Sequence, residues 1–119
     1  MAKYFTREEL ACKHCGEYQF DDDFLELLDT LREECGFPFP VSSGYRCPQH
    51  PIEAAKRHPG AHTTGRAVDI ALSHGQAYRL VEVALACGVP RIGINQTGDG
   101  RFIHLDWDVT RPHPRIWSY

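Results

Sequence analysis

With 119 residues, a formal net charge of −3 and ordinary shares of apolar and charged residues, the chain is expected to form one compact α+β domain over residues 1–119, with a single core and no second module. No basic stripe is present to neutralise phosphates, which argues against a nucleic-acid partner, and no apolar run approaches the roughly 20 residues of a membrane span. The N-terminus passes straight into polar sequence without the apolar stretch of an export signal, so cytoplasmic synthesis is expected.

In chain order, Thr6-Arg7-Glu8-Glu9 reads as a capping box that opens a short helix ending before Cys12. Five cysteines in a chain without an export signal point to thiols rather than a disulfide framework. Cys12-Lys13-His14-Cys15-Gly16 has the two-residue gap of a zinc knuckle, but a knuckle needs a second pair, and Cys35, Cys47 and Cys87 are scattered singly. A structural metal at Cys12 and Cys15, completed by His14 or Cys47, therefore stands beside the plainer reading of a tight turn with buried thiols. A redox role fits less well, because that motif belongs after a strand in a βαβ unit. Asp21 to Asp23 supply an N-cap and first-turn negative charge for a longer helix, with Phe24, Leu27, Leu28 and Leu31 on one face and Gly36 and Pro38 closing it.

Pro40-Val41-Ser42-Ser43 reads as a short strand leading into a turn, Gly44-Tyr45-Arg46, that presents Arg46. Cys47 to Gly60 is rich in Pro, His and Lys, with a helical turn around 52–56, and is expected to form one lip of a cleft to which Gln49, His50 or His58 contribute, although an exposed loop suits His58 better. Arg66 to Leu72 is apolar enough for a half-buried strand, and Gly65, free to take a positive φ, lets His62 fold back over it. His62 and Asp69 can then share one metal. Asp69 has a plainer reading as the partner of Arg66 or Arg46.

Ser73-His74-Gly75-Gln76 reads as another capping box, opening a helix through Cys87 that Gly88 ends, with Leu80, Val81, Ala84 and Leu85 over a sheet. Arg91 to Asn95 and Phe102 to Trp107 flank the Gly98–Gly100 turn as an antiparallel hairpin. Strict alternation in the second strand puts Phe102, His104 and Asp106 on one face and Ile103, Leu105 and Trp107 on the other. A carboxylate inside such a strand costs free energy unless paired or metal-bound, so Asp106 and Asp69 both ask for a partner. His62, Asp69 and His104 make a set of N and O donors that Zn²⁺ accepts in catalytic sites. In the tail, Pro112 and Pro114 exclude a central strand, and Trp117 and Tyr119 are expected to dock on the body.

The blocks Ser43-Gly44-Tyr45-Arg46, Gly60-Ala61-His62-Thr63-Thr64-Gly65-Arg66-Ala67-Val68-Asp69 and Phe102-Ile103-His104-Leu105-Asp106 resemble the three signature blocks of the M15 zinc peptidases, in the right order from about Phe20 onward. That family contains D-alanyl-D-alanine carboxypeptidases and the L-alanyl-D-glutamate endopeptidases of phage endolysins. The resemblance implies the hedgehog/DD-peptidase fold, a small antiparallel sheet flanked by helices, and a peptidoglycan stem peptide as substrate. It implies His62, Asp69 and His104 as Zn²⁺ ligands and Arg46 as the cation that holds a substrate carbonyl or carboxylate. Zn²⁺ in such sites lowers the pKa of its bound water to about 7 and polarises the scissile carbonyl.

In relatives the base lies three or five positions before the last His ligand. Here those positions are Arg101, which cannot accept a proton, and Asp99, so the resemblance points to Asp99, while Thr97-Gly98-Asp99-Gly100 also reads as an ordinary turn. Asp106 competes as base, or orients a His ligand through its other ring nitrogen. Gly60 departs from the serine that relatives usually carry there. The expected protein is a monomeric zinc peptidase, of a size that suits a phage-type enzyme released to the cell wall. A zinc-binding recognition domain of the same fold is the alternative, and a thiol-based enzyme is a third.

Overall fold

The computed structural model describes residues 3–57 and 60–119. Thr6 caps a one-turn helix, α1 (Arg7–Leu10), and the capping box is present: the Thr6 hydroxyl accepts from the Glu9 backbone N–H while the Glu9 carboxylate takes that of Thr6. The Asp21 carboxylate accepts from the Phe24 N–H at 2.9 Å to open α2 (Asp22–Cys35), which closes at Gly36. Phe24, Leu25, Leu28 and Leu31 are buried; Leu27 is half-buried. Acidic residues at the start of α2 and Arg32 in its last turn complement the helix dipole.

Strand β1 (Val41–Ser43) and the short helix α3 (Pro51–Ala54) precede a 3₁₀ turn at Ala61–Thr64. Strand β2 (Ala67–Ile70) follows, then α4 (His74–Ala86), β3 (Arg91–Asn95), β4 (Phe102–Asp106) and β5 (Arg115–Ser118). The sheet order is β1-β2-β4-β3-β5. Four strands pair antiparallel, and β5 runs parallel to β3, so the sheet is mixed rather than purely antiparallel. The tail is thus a strand: Pro112 and Pro114 precede it, and it lies on the sheet edge, where missing N–H donors cost least.

Helix α4 packs on α2 and β4 through Ala77, Leu80, Val83 and Ala84. Leu85, expected over the sheet, is exposed, because it lies beside the Ala77–Leu80–Ala84 stripe rather than on it. Ser73 makes no side-chain cap bond, and His74 starts the helix at φ 52°, so the second expected capping box does not form. Among the described residues, no helix is long and apolar enough to cross a membrane.

Candidate metal centre

The central strands carry the site. Asp69 of β2 lies opposite His104 of β4, with both side chains on the face away from Val68, Ile70, Ile103 and Leu105, which fill the core. His62 arrives from the 3₁₀ turn, which ends at Gly65 with φ 74°; a Cβ there would also run into the Gln19 carbonyl, so both conformation and space demand glycine. Asp69 Oδ1 lies 3.3 Å from His62 Nε2 and 2.9 Å from His104 Nδ1, and the two rings meet edge to face at 5.0 Å. All three residues are buried.

The second ring nitrogens are assigned by their partners. His62 Nδ1 faces the Gly44 carbonyl at 2.8 Å and donates to it, so Nε2, on the side of Asp69, is the nitrogen available to a metal. His104 Nε2 lies 2.6 Å from Asp106 Oδ2 and Nδ1 lies 2.9 Å from Asp69 Oδ1, so each nitrogen can donate to its carboxylate, and a ring that keeps its proton on Nε2 offers Nδ1 to a metal. Asp106, fully buried, also accepts from Arg91 Nε at 2.9 Å and from the Asp108 N–H at 3.1 Å. Burial alone pushes the Asp69 carboxyl up, but hydrogen bonds from His104 and His62 outweigh it and hold it far below the usual carboxylate range. Burial lowers His104, and the bonds to Asp106 and Asp69 reverse this and raise it. Two imidazoles, each with its other ring nitrogen held by a partner outside the cluster, and an ionised carboxylate therefore converge within 4.8 Å, a donor set that fits a divalent metal such as Zn²⁺.

Arg46 stands at the rim. Its backbone N–H donates to the His62 carbonyl at 3.0 Å, and its guanidinium reaches Glu53 at 3.1 Å, Ser43 Oγ at 3.1 Å and Asp69 Oδ2 at 3.7 Å. The pairing of Asp69 with Arg46, read as an alternative to metal binding, coexists with the donor cluster, while Arg66 pairs with Asp21 instead. Glu53 is buried and holds Arg46, Lys56 and the Gly60 N–H together. A Cβ on Gly60 would lie 2.6 Å from Lys56 Nζ and 2.9 Å from Glu53 Oε1, so the Lys56 and Glu53 side chains occupy the space a side chain at position 60 would take.

These residues line a cavity of about 370 Å³ whose wall includes Arg46, Lys56, His62, Asp69, His104 and Asp106, with Arg91, Arg111, Trp117 and Tyr119 completing it. Asp99 does not line it; it is exposed on the turn between β3 and β4. His50 caps α3 through its Nδ1, Gln49 is exposed, and His58 lies outside the described residues. A larger groove, about 620 Å³, runs between α4 and the β3–β4 hairpin and has a mostly apolar wall. For the thiol alternative, Cys12 follows α1 rather than a strand. Burial raises its thiol, but N–H groups of Cys47, Cys15 and His14 prevail and bring it down to about 7.

Sequence reading missed Glu53, Arg91 and Arg111; Trp117 and Tyr119, expected to dock on the body, do so on the cavity wall. Glu53 sits in a segment without periodicity. The signal for Trp117 was Gly93 in the middle of a strand: a Cβ there would lie 2.7 Å from the indole, and the indole in turn packs 5.4 Å from the His104 ring.

A search of curated proteins and a search of solved structures each returned no match. The family model Peptidase M15 matches residues 3–106, a span that holds His62, Asp69, His104 and Arg46, and the chain belongs to the peptidase M15 family.

Proposed function

We propose that this protein is a zinc-dependent peptidase acting on peptidoglycan stem peptides, with His62, Asp69 and His104 as metal ligands and Arg46 as the substrate-binding cation. The observation that carries this reading is the convergence of three buried donors in a cavity whose rim holds Arg46 and Lys56. Bound there, Zn²⁺ supplies Lewis acidity toward a scissile carbonyl. The chain's own groups do the rest. Asp106 fixes His104 in the tautomer whose Nδ1 can ligate, Gly44 does the same for His62, and Glu53 aims the Arg46 guanidinium into the cavity. Arg46, Lys56 and Arg111 give the wall a cationic bias suited to a substrate carboxylate or a developing oxyanion.

Asp99 enters this reading as the proton acceptor implied by resemblance; against it stands its exposed position outside the cavity wall. Both oxygens of Asp106 are engaged by His104, Arg91 and the Asp108 N–H, which suits positioning better than proton transfer. Among the described residues no carboxylate on the wall is free of such partners, the one observation that favours the second reading, a zinc-holding recognition domain.

The test is incubation of zinc-loaded protein, beside an EDTA-treated control, with purified peptidoglycan, reading new amino and carboxyl termini by mass spectrometry. EDTA-sensitive cleavage that is lost in His62→Ala is expected, and the new termini name the bond, D-Ala-D-Ala or L-Ala-D-Glu. Bound zinc with intact peptidoglycan of every wall type would leave the recognition domain. Asp99→Ala is expected to keep the metal and lose turnover; normal turnover with metal retained would move the base to Asp106 or to none.

A further inference from the structure

Outside this cavity, a second donor cluster lies between two chain segments that the proposed peptidase chemistry does not use. The thiols of Cys12, Cys15 and Cys47 converge so that their sulfurs all lie within 4.8 Å of one another. Cys12 and Cys47 are buried and Cys15 is exposed, and all are free thiols. Three sulfurs sharing one tetrahedral ion at Zn–S of about 2.3 Å stand about 3.8 Å apart, so the cluster is close to the size an ion needs.

The backbone around it is built for sulfur. The Gly16 N–H donates to the Cys12 carbonyl at 2.7 Å and the Cys12 N–H to the Glu17 carbonyl at 2.8 Å, wrapping residues 12–17 into a tight turn. A matching turn follows Cys47, whose carbonyl accepts from the His50 N–H at 3.0 Å. The Cys47 N–H itself points at Cys12 Sγ, 3.3 Å away. Such N–H donors are what a metal-bound thiolate requires of its surroundings. A bond from the Tyr45 N–H to the Leu10 carbonyl, 2.8 Å, holds the two turns together.

Cys47 is therefore not a scattered cysteine. It opens Cys47-Pro48-Gln49-His50, which repeats the two-residue gap of Cys12-Lys13-His14-Cys15 and ends on an imidazole. The His50 ring meets the His14 ring edge to face at 6.0 Å, and in the chain His14 directly precedes Cys15 while His50 ends the turn that Cys47 opens.

We propose that Cys12, Cys15 and Cys47, completed by an imidazole of the His14–His50 pair, bind a second, structural zinc ion. A closed site with no position for substrate is what three thiolates and one imidazole give. Its location assigns its role: Cys47 follows Arg46 directly, so the ion clamps the loop that delivers the cavity's cation to the end of α1. The site is independent of the peptidase reading and is tested without activity.

The experiment is metal analysis of protein purified under reducing conditions with zinc, beside a cobalt(II) spectrum of protein reloaded after chelation. About two zinc equivalents per chain are expected, falling to about one in Cys15→Ser, an exposed position that folding tolerates, and also to about one in His62→Ala. Cobalt should give a sulfur-to-metal charge-transfer band that persists in His62→Ala and is lost in Cys15→Ser. The double variant His14→Ala/His50→Ala should bind the second ion at least tenfold more weakly. A zinc content that Cys15→Ser leaves unchanged, no sulfur–cobalt band, or a disulfide among these cysteines in the zinc-purified protein would overturn the proposal.

Discussion

Asp106 shows how a single buried carboxylate sets the chemistry of a ligand it neighbours. It accepts from His104 Nε2 at 2.6 Å and is itself held by Arg91 at 2.9 Å, which turns Nδ1 toward the donor cluster. Asp106→Ala is expected to weaken zinc binding by about 10–100-fold while leaving the three ligands in place, measured by competition with a chromogenic chelator. Asp108 acts one step further out. Burial pushes its carboxyl up, but bonds from Thr110 and the Arg111 guanidinium at 2.7 Å prevail and hold it below the usual carboxylate range. A folded pKa below the unfolded value of about 3.9 means that this stabilisation is full above roughly pH 5 and is lost as pH falls through the folded value. Asp108→Asn should therefore cost about 1–3 kcal/mol at pH 7 in urea denaturation, and its difference from the wild type should shrink as the titrations are taken toward about pH 3.

At the scale of elements, β5 closes the site by lying along β3 with Trp117 beside Gly93 and against His104. Gly93→Ala puts a methyl 2.7 Å from the indole, backed by Arg91 stacked at 4.8 Å, so the tail must shift. A loss of about 1–3 kcal/mol and a red-shifted tryptophan emission are expected, with His104 less well packed. The same element marks where sequence reading ends. Alternation in Phe102–Asp106 and the apolar stripe of α2 are local signals, and they placed the hairpin, the helix and the His104–Asp106 face correctly. Parallel pairing of β5 with β3 has no local signal, since the partners are separated by β4 and a proline-containing loop. Glu53 was illegible for a related reason: its partners Arg46 and Gly60 lie seven residues away on either side, in loops with no period to read. The Ser73 cap failed because Ser-x-x-Gln supplies the atoms of a capping box but not the backbone angle of His74.

Across the whole molecule, the donor cluster is a long-range construction: His62 leans on Gly44, Asp69 sits opposite His104, and Asp106 draws in Arg91. None of these contacts survives in an unfolded chain, so a metal held by them binds the native state alone and stabilises it by mass action, by about 2.7 kcal/mol at a free concentration of 100 times Kd. For a domain of this size about 1 kcal/mol moves the midpoint by roughly 4 °C. Zinc added to chelated protein should therefore raise the thermal midpoint by more than about 10 °C, as read by scanning calorimetry at fixed protein concentration. The two donor clusters separate in this measurement. His62→Ala removes the part contributed by the cavity, and Cys15→Ser removes the part contributed by the thiols, so each variant should retain a smaller zinc-dependent rise and the pair together none. Because residues 44–47 carry both the Gly44 carbonyl that holds His62 and Cys47 of the thiol cluster, the two losses should couple, each variant also reducing the other cluster's rise.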